Sequence, residues 1–316
     1  MSFRLHLMCV RRTPWIASLL SLLLPGLGHL YSGYAAAAGL RYLAYLGMTF
    51  LLFYPLLLWF PLGPVSLPVA LALFIATYAW VIVGSTRAAT RPPAEHPLRT
   101  FDRWYVYAGM IVASWGAGEI AVSPLRARIE AFRIPSGSME PTLLVGDFLW
   151  AEKDTSARNV ITHGSIVIST SPVEPAVVTV KRVVGVAGDT LLMIRNTLYR
   201  NAKQVDELYI RIEAGNNDPS APEMLAAQRS HYIGPHPENY QPSARNWGPL
   251  LVPPDSLFLL GDNRDNAFDS RYTGMVATSL VRGQPRRIYF SYDKYGSLPF
   301  PPLTAIRWER IGTVVR

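Results

Sequence analysis

The sequence predicts an α-helical membrane region followed by a mainly β extracytoplasmic domain. Three observations carry that prediction: apolar residues crowd into the first 124 positions, short β-rich runs replace them from Arg126 onward, and arginines flank the apolar blocks asymmetrically. At 316 residues the chain is long enough for about two domains. Its 50% hydrophobic and 16% charged content, against about 25% charged in ordinary soluble domains, excludes disorder and argues against a wholly soluble chain. Cys9 stands alone, so no internal disulfide can form. There is no CxxC and no His/Cys cluster, so neither a metal nor a cofactor is expected. The net charge of +8 suits anionic lipid headgroups or nucleic acid. The apolar excess favours lipid, so no nucleic-acid partner is expected.

Within residues 1–103, two runs match the roughly 20 apolar residues that a bilayer requires. These are 41–60 (RYLAYLGMTFLLFYPLLLWF) and 66–86 (SLPVALALFIATYAWVIVGST), joined as a hairpin by an uncharged link. A third run, 104–122 (WYVYAGMIVASWGAGEIAV), opens on interfacial aromatics and is read as the membrane anchor. Block 14–33 is interrupted by Pro25, Gly26 and Gly28, which predicts an interfacial or re-entrant helix. Arg4, Arg11 and Arg12 precede that block, and Arg87, Arg91, Arg99 and Arg103 fill the loop 87–103. Placing both clusters in the cytoplasm puts an even number of crossings between them, and the last span then exports residues 125–316. A cleavable leader at 1–33 is the rival reading. It is disfavoured because the stretch ends in PGLG and further spans follow.

The exported half contains LLVGDFLWAEK, GSIVIST, AVVTVKRVVGVAG, TLLMIRNTLYR and DSLFLLGDN, all strand-like and bounded by turn residues. No long amphipathic helices alternate with them, so paired sheets are predicted. Residues 211–246 read as a polar insertion whose MLAAQRS segment is its one candidate helix.

Three segments of this half could carry chemistry. In AVVTVKRVVGVAG, period-two alternation leaves Lys181 on an apolar face, where burial would lower its pKa. The alternative is an edge strand on which Lys181 and Arg182 snorkel. In IPSGSMEPTL, Pro135 and Pro141 exclude a mid-helix position and leave Ser136 and Ser138 on a turn. Such a turn can expose a hydroxyl to a carbonyl, or serve only as a linker. In GDNRDNAFDSRYTG, Asp262, Asp265 and Asp269 stand against Arg264 and Arg271 within ten residues, which suggests a salt-bridged turn cluster. A calcium loop fails there, because Arg264 and Ala267 occupy positions that require a ligand and a glycine.

These segments, in this order and behind a membrane span, resemble the bacterial type I signal peptidases, and the resemblance runs from about Trp104 to the C-terminus. It implies a domain of two antiparallel sheet regions with a hydrophobic face on the outer leaflet. It also implies endoproteolysis of the signal peptides of secreted preproteins after small residues, usually Ala-X-Ala, at the bacterial inner membrane. Carried over, the nucleophile is Ser138, the general base is Lys181, and the oxyanion donors are the Ser136 hydroxyl and the Ser138 amide. Asp269 and Arg271 fall on the family's structural pair, with Asp262 and Arg264 beside them in the same motif. The family commonly has serine where this chain has Ala267, so the support for Lys181 would have to come from Ser270, Thr179 or water. The implied partners are signal peptides, membrane lipids and the secretion machinery.

A serine hydroxyl attacks only when a base removes its proton, and lysine at its ordinary pKa of about 10.4 is protonated at neutral pH. Bringing Lys181 near neutrality takes roughly 3 to 5 kcal/mol of differential destabilisation of its charged form. The expected pocket is shallow and apolar, with walls assigned to Ile134, Leu143 and Val180, and the peptide is expected to bind extended. Competing readings are a Ser/His/Asp hydrolase using His163, His231 or His236, and a non-catalytic membrane protein that keeps the peptidase scaffold. Self-cleaving Ser/Lys repressors are a third, set aside because they lack membrane spans.

Overall fold

The computed structural model describes residues 13–48, 66–90, 104–153, 161–212, 218–297 and 299–316. The chain divides into two compact units, Met1–Leu125 and Arg126–Arg316.

The first unit is helical. Helix α1 (Pro14–Leu23) starts on a proline, whose missing N–H costs nothing at that position. The chain then turns through Gly26, at φ 103°, into α2 (Leu27–Tyr31) and α3 (Ala35–Gly47). Helices α4 (Ser66–Thr90) and α5 (Trp104–Arg128) each have 25 residues, about 37 Å of helix against about 30 Å of hydrocarbon. Small residues set the packing of α1, α2 and α4. A side chain on Gly28 would place its Cβ 2.0 Å from the Ala17 carbonyl oxygen, so α2 approaches α1 closely only because position 28 is glycine. Among the described residues one stretch, Ala72–Thr90, is both long and apolar enough to cross a membrane. The expected span 41–60 begins in α3, and its second half lies outside the described residues, as does the link to α4.

The second unit is mainly β. Strands β1 (Ile129–Arg133), β2 (Asp147–Glu152), β3 (Ile166–Thr170), β4 (Val178–Gly185), β9 (Ser256–Leu260), β10 (Val276–Ala277) and β11 (Val281–Ser291) form a seven-stranded antiparallel sheet in the order β1-β2-β11-β3-β4-β9-β10. A second sheet, β7-β6-β5-β8, comprises β5 (Thr190–Ile194), β6 (Thr197–Arg200), β7 (Lys203–Gln204) and β8 (Trp247–Leu251). TLLMIRNTLYR is therefore two strands. Arg195 and Asn196 both take positive φ in the tight turn between them, as a two-residue hairpin requires.

Two elements depart from the sequence reading. The long strand β11 was not anticipated, because Pro285 and three arginines interrupt its apolar pattern. A bulge between Pro285 and Arg287 accommodates the proline, and Arg282 and Arg286 pair with Glu130 and Glu152. The insertion is less separate than its polar composition implies. Its helix α6 (Pro222–Gln228) buries Met224, and Tyr240 joins the core of Leu191, Trp247 and Phe258.

Candidate active site

The Ser138 loop connects β1 to β2 and is pinned where it leaves and rejoins the sheet. Ile134 donates its amide to Asp147 O at 2.8 Å, and Gly146 donates to Ile134 O at 3.1 Å. Met139, 1% exposed, anchors the loop in a core of Ile134, Leu143, Leu149, Ile166 and Ile288. That leaves Ser138 half-buried and Ser136 exposed at the surface of the loop.

Lys181 comes from β4, which lies between β3 and β9. The edge-strand alternative is therefore overturned, since β4 is hydrogen-bonded on both sides. Lys181 is 6% exposed. Its Nζ lies 2.9 Å from Ser138 Oγ and donates to its neighbour's carbonyl, Val180 O, at 3.1 Å. Burial lowers the pKa of the amine; Asp269 and Asp262 oppose the shift, Arg271 reinforces it, and burial prevails.

Neither hydroxyl expected to support Lys181 in place of the family serine does so. Ser270 Oγ accepts the Leu259 amide at 3.0 Å, and Thr179 Oγ1 is turned toward Ser169. The additional acceptor is the Val180 carbonyl, a backbone group that the sequence reading had no reason to single out. Ala267 is buried, and with the Ser138 carbonyl it crowds Gly261, where an added Cβ would lie 2.4 Å from the Ala267 Cβ and 2.5 Å from Ser138 O.

The acidic and basic groups of the third segment form a scaffold around this pair. Asp262 takes a two-pronged contact from Arg182, Nε to Oδ1 at 2.8 Å and Nη2 to Oδ2 at 2.6 Å, and also accepts the Thr142 hydroxyl. Arg264 forks onto Glu207, at 2.5 and 3.1 Å. Asp269 caps the short helix α7 (Ser270–Thr273), accepts from Arg271 Nε at 2.8 Å and Nη2 at 2.9 Å, and takes the Gly261 amide. Arg271 reaches on to the Ala244 and Arg264 carbonyls.

Asn263 was missed as an individual. Its amide donates to Ser138 O and its side chain to Gly137 O, both at 3.1 Å, so it grips the loop on either side of the hydroxyl. The GDN run was the signal that could have pointed to it. Of the three assigned pocket residues, Leu143 is fully buried and Ile134 nearly so, and Val180 is the one that keeps exposure. His163 is hydrogen-bonded to Asp189 at 2.6 Å, and His236 contacts Glu238. Among the described residues no His, Cys, Asp and Glu group is arranged to hold a metal.

The family described as signal peptidase, peptidase S26, matches residues 107–290. The chain belongs to this family. Signal peptidase I of Pseudomonas aeruginosa is 32% identical over 213 residues, covering 59% of this chain and 72% of the relative. That of Leptolyngbya laminosa is 29% identical, covering 68% of this chain and 91% of the relative. A crystal structure of signal peptidase I from Enterococcus faecalis aligns at 25% identity with a TM-score of 0.26, covering 39% of this chain and 94% of that one. The chain is accordingly a signal peptidase, a hydrolytic enzyme of the S26 family, and the non-catalytic reading falls away.

Proposed function

We propose that this signal peptidase cleaves the signal peptides of exported preproteins with a Ser138 nucleophile and a Lys181 general base. The observation that carries the reading is the 2.9 Å approach of the buried Lys181 amine to the Ser138 hydroxyl. In its neutral form the amine accepts the hydroxyl proton as Oγ attacks the scissile carbonyl. Charge developing on the carbonyl oxygen is met by the Ser138 amide and the Ser136 hydroxyl. The Lys181 ammonium then protonates the leaving amine, and the neutral amine activates the water that hydrolyses the acyl enzyme.

Cleavage after small residues, of Ala-X-Ala type, follows from the same reading. The loop core beside Ser138 is filled by Met139, Leu143 and Ile134, leaving Val180 as the apolar contact for a short side chain. The same reading puts the enzyme in the bacterial inner membrane, multi-pass, with its peptidase domain outside and in contact with the secretion machinery. Supporting this, Trp15, Leu19, Leu22 and Leu23 of α1 and Leu73, Ile75, Trp80 and Val83 of α4 all expose their apolar side chains, which lipid would cover.

The test compares wild type with Ser138→Ala, Lys181→Ala and His163→Ala on an Ala-X-Ala preprotein in lipid. Cleavage is lost in the first two folded variants and retained in the third. Substantial turnover by Ser138→Ala or Lys181→Ala, or its loss in His163→Ala, overturns the assignment.

A further inference from the structure

A loop holds a hydroxyl against a buried amine only when it is fixed at several points. Asn263 fixes the Ser138 loop at Gly137 and Ser138 themselves. The far limb of the loop is fixed from the other end of the domain. Asp147 opens β2 with its side chain completely buried, and it accepts the Leu144 amide at 2.8 Å and the Ser291 hydroxyl at 2.7 Å. It also accepts a fork from Arg310, Nε to Oδ1 at 3.0 Å and Nη2 to Oδ2 at 2.6 Å. The same Nη2 donates to the Thr142 carbonyl at 3.0 Å. Thr142 lies four residues past Ser138, and its hydroxyl is already on Asp262. One guanidinium thus ties the loop to the start of the strand that follows it.

The segment that carries Arg310 is itself laid on the sheet. Arg307 donates its amide to Ser291 O and its guanidinium to Val145 O, both at 3.0 Å. Gly312 donates to Ile288 O at 2.8 Å, Ile288 returns a bond to Thr313 O at 3.0 Å, and Val315 donates to Arg286 O at 3.1 Å. The Val315 side chain packs onto the same core as Met139 and Leu143. Arginine is suited to this place because its planar fork can serve a carboxylate and a carbonyl together, which a lysine ammonium cannot do in fixed geometry.

We propose that Arg310 is a positioning residue for the nucleophile: through Thr142 and Asp147 it sets where Ser138 stands relative to Lys181. The inference rests on the reading of Ser138 as nucleophile. Loosening the clamp leaves β4 and its amine in place but misplaces the hydroxyl, so acylation slows while substrate affinity holds.

The experiment uses the full chain in phosphatidylglycerol-containing nanodiscs with an Ala-X-Ala preprotein, and measures burst amplitude, acylation rate per acylable site, and KM. Arg310→Ala is expected to lower the per-site acylation rate by about tenfold or more with KM within about twofold, and Arg310→Lys to recover part of the loss. Because Arg310→Ala strands a buried carboxylate, the double variant Asp147→Asn with Arg310→Gln is measured alongside it. It removes the charge while keeping hydrogen-bonding groups, and it is expected to be slow per site although folded. An unchanged per-site rate in the folded variants, with only the number of acylable sites reduced, overturns the positioning role and leaves Arg310 merely structural. Ser138→Ala is the control: a burst in that variant would refute the nucleophile assignment itself, a failure distinct from that of Arg310.

Discussion

Arg182 closes a two-pronged ion pair on Asp262, while its neighbour Lys181 forms no ion pair among the described residues. Adjacent positions on β4 face opposite ways, so one cation is neutralised by a carboxylate and the other is left with a hydroxyl and a backbone carbonyl. The strand thereby separates a cation neutralised by a carboxylate from an amine that has no carboxylate partner among the described residues.

That separation predicts a pH profile. The acid limb of kcat/KM should follow Lys181 losing its proton, and so fall below the ordinary lysine range, because burial lowers its pKa. The sign for stability follows from linkage. Between the lowered folded value and the ordinary unfolded one, the unfolded chain binds more protons, so this group makes stability rise with pH. Comparing denaturant midpoints of wild type and Lys181→Met across pH checks it: the difference should shift in favour of wild type as pH rises through that window.

Removing Asp262 leaves the buried Arg182 guanidinium, 4% exposed, with only the Gly164, Thr142 and Arg316 oxygens as acceptors. Asp262→Ala should cost about 3 to 5 kcal/mol in urea unfolding. Because the Asp262 charge pulls the Lys181 pKa upward, any active fraction of the variant should show its acid limb displaced to lower pH.

Gly261→Ala would put a methyl carbon 2.5 Å from the Ser138 carbonyl and 2.4 Å from the Ala267 side chain. Since the first contact is backbone of the Ser138 loop, the loop must shift. A stability loss of about 1 to 3 kcal/mol and a fall in kcat on the order of a hundredfold are expected in melting and turnover assays.

Ala202 sits at φ 63° in the exposed turn between β6 and β7, a left-handed conformation that an L side chain adopts at a cost of roughly 1 to 2 kcal/mol. Ala202→Gly should therefore raise the denaturation midpoint by about 1 kcal/mol equivalent, less the added entropy of glycine in the unfolded chain, with cleavage unchanged.

What could be read from sequence followed how local each signal was. The β2, β3, β4 and β9 runs were visible because apolar and β-branched residues cluster between turn formers. Strand β11 was not, because its arginines read as solvent-facing until Glu130 and Glu152 on neighbouring strands supply their partners. Ser138 and Lys181 could be named only from the resemblance of several segments in order, since each motif alone also reads as a linker or an edge strand. Asn263 was present within a motif, yet its grip on Gly137 and Ser138 depends on a contact across more than a hundred residues.

The sequence by itself determined that an apolar segment precedes a β-rich domain and that its one cysteine can form no internal disulfide, and it offered a serine, a lysine and an Asp/Arg-rich turn as candidates for chemistry. Only the tertiary structure decided that β4 is an interior strand, that Lys181 is buried beside Ser138 with Val180 O as its further acceptor, and that Arg310 braces the loop. Composition and alternation act over a few residues and are written locally. The dryness of an amine and the position of a hydroxyl depend on groups that folding brings together from Gly137 to Val315, and those exist only once the sheet has closed.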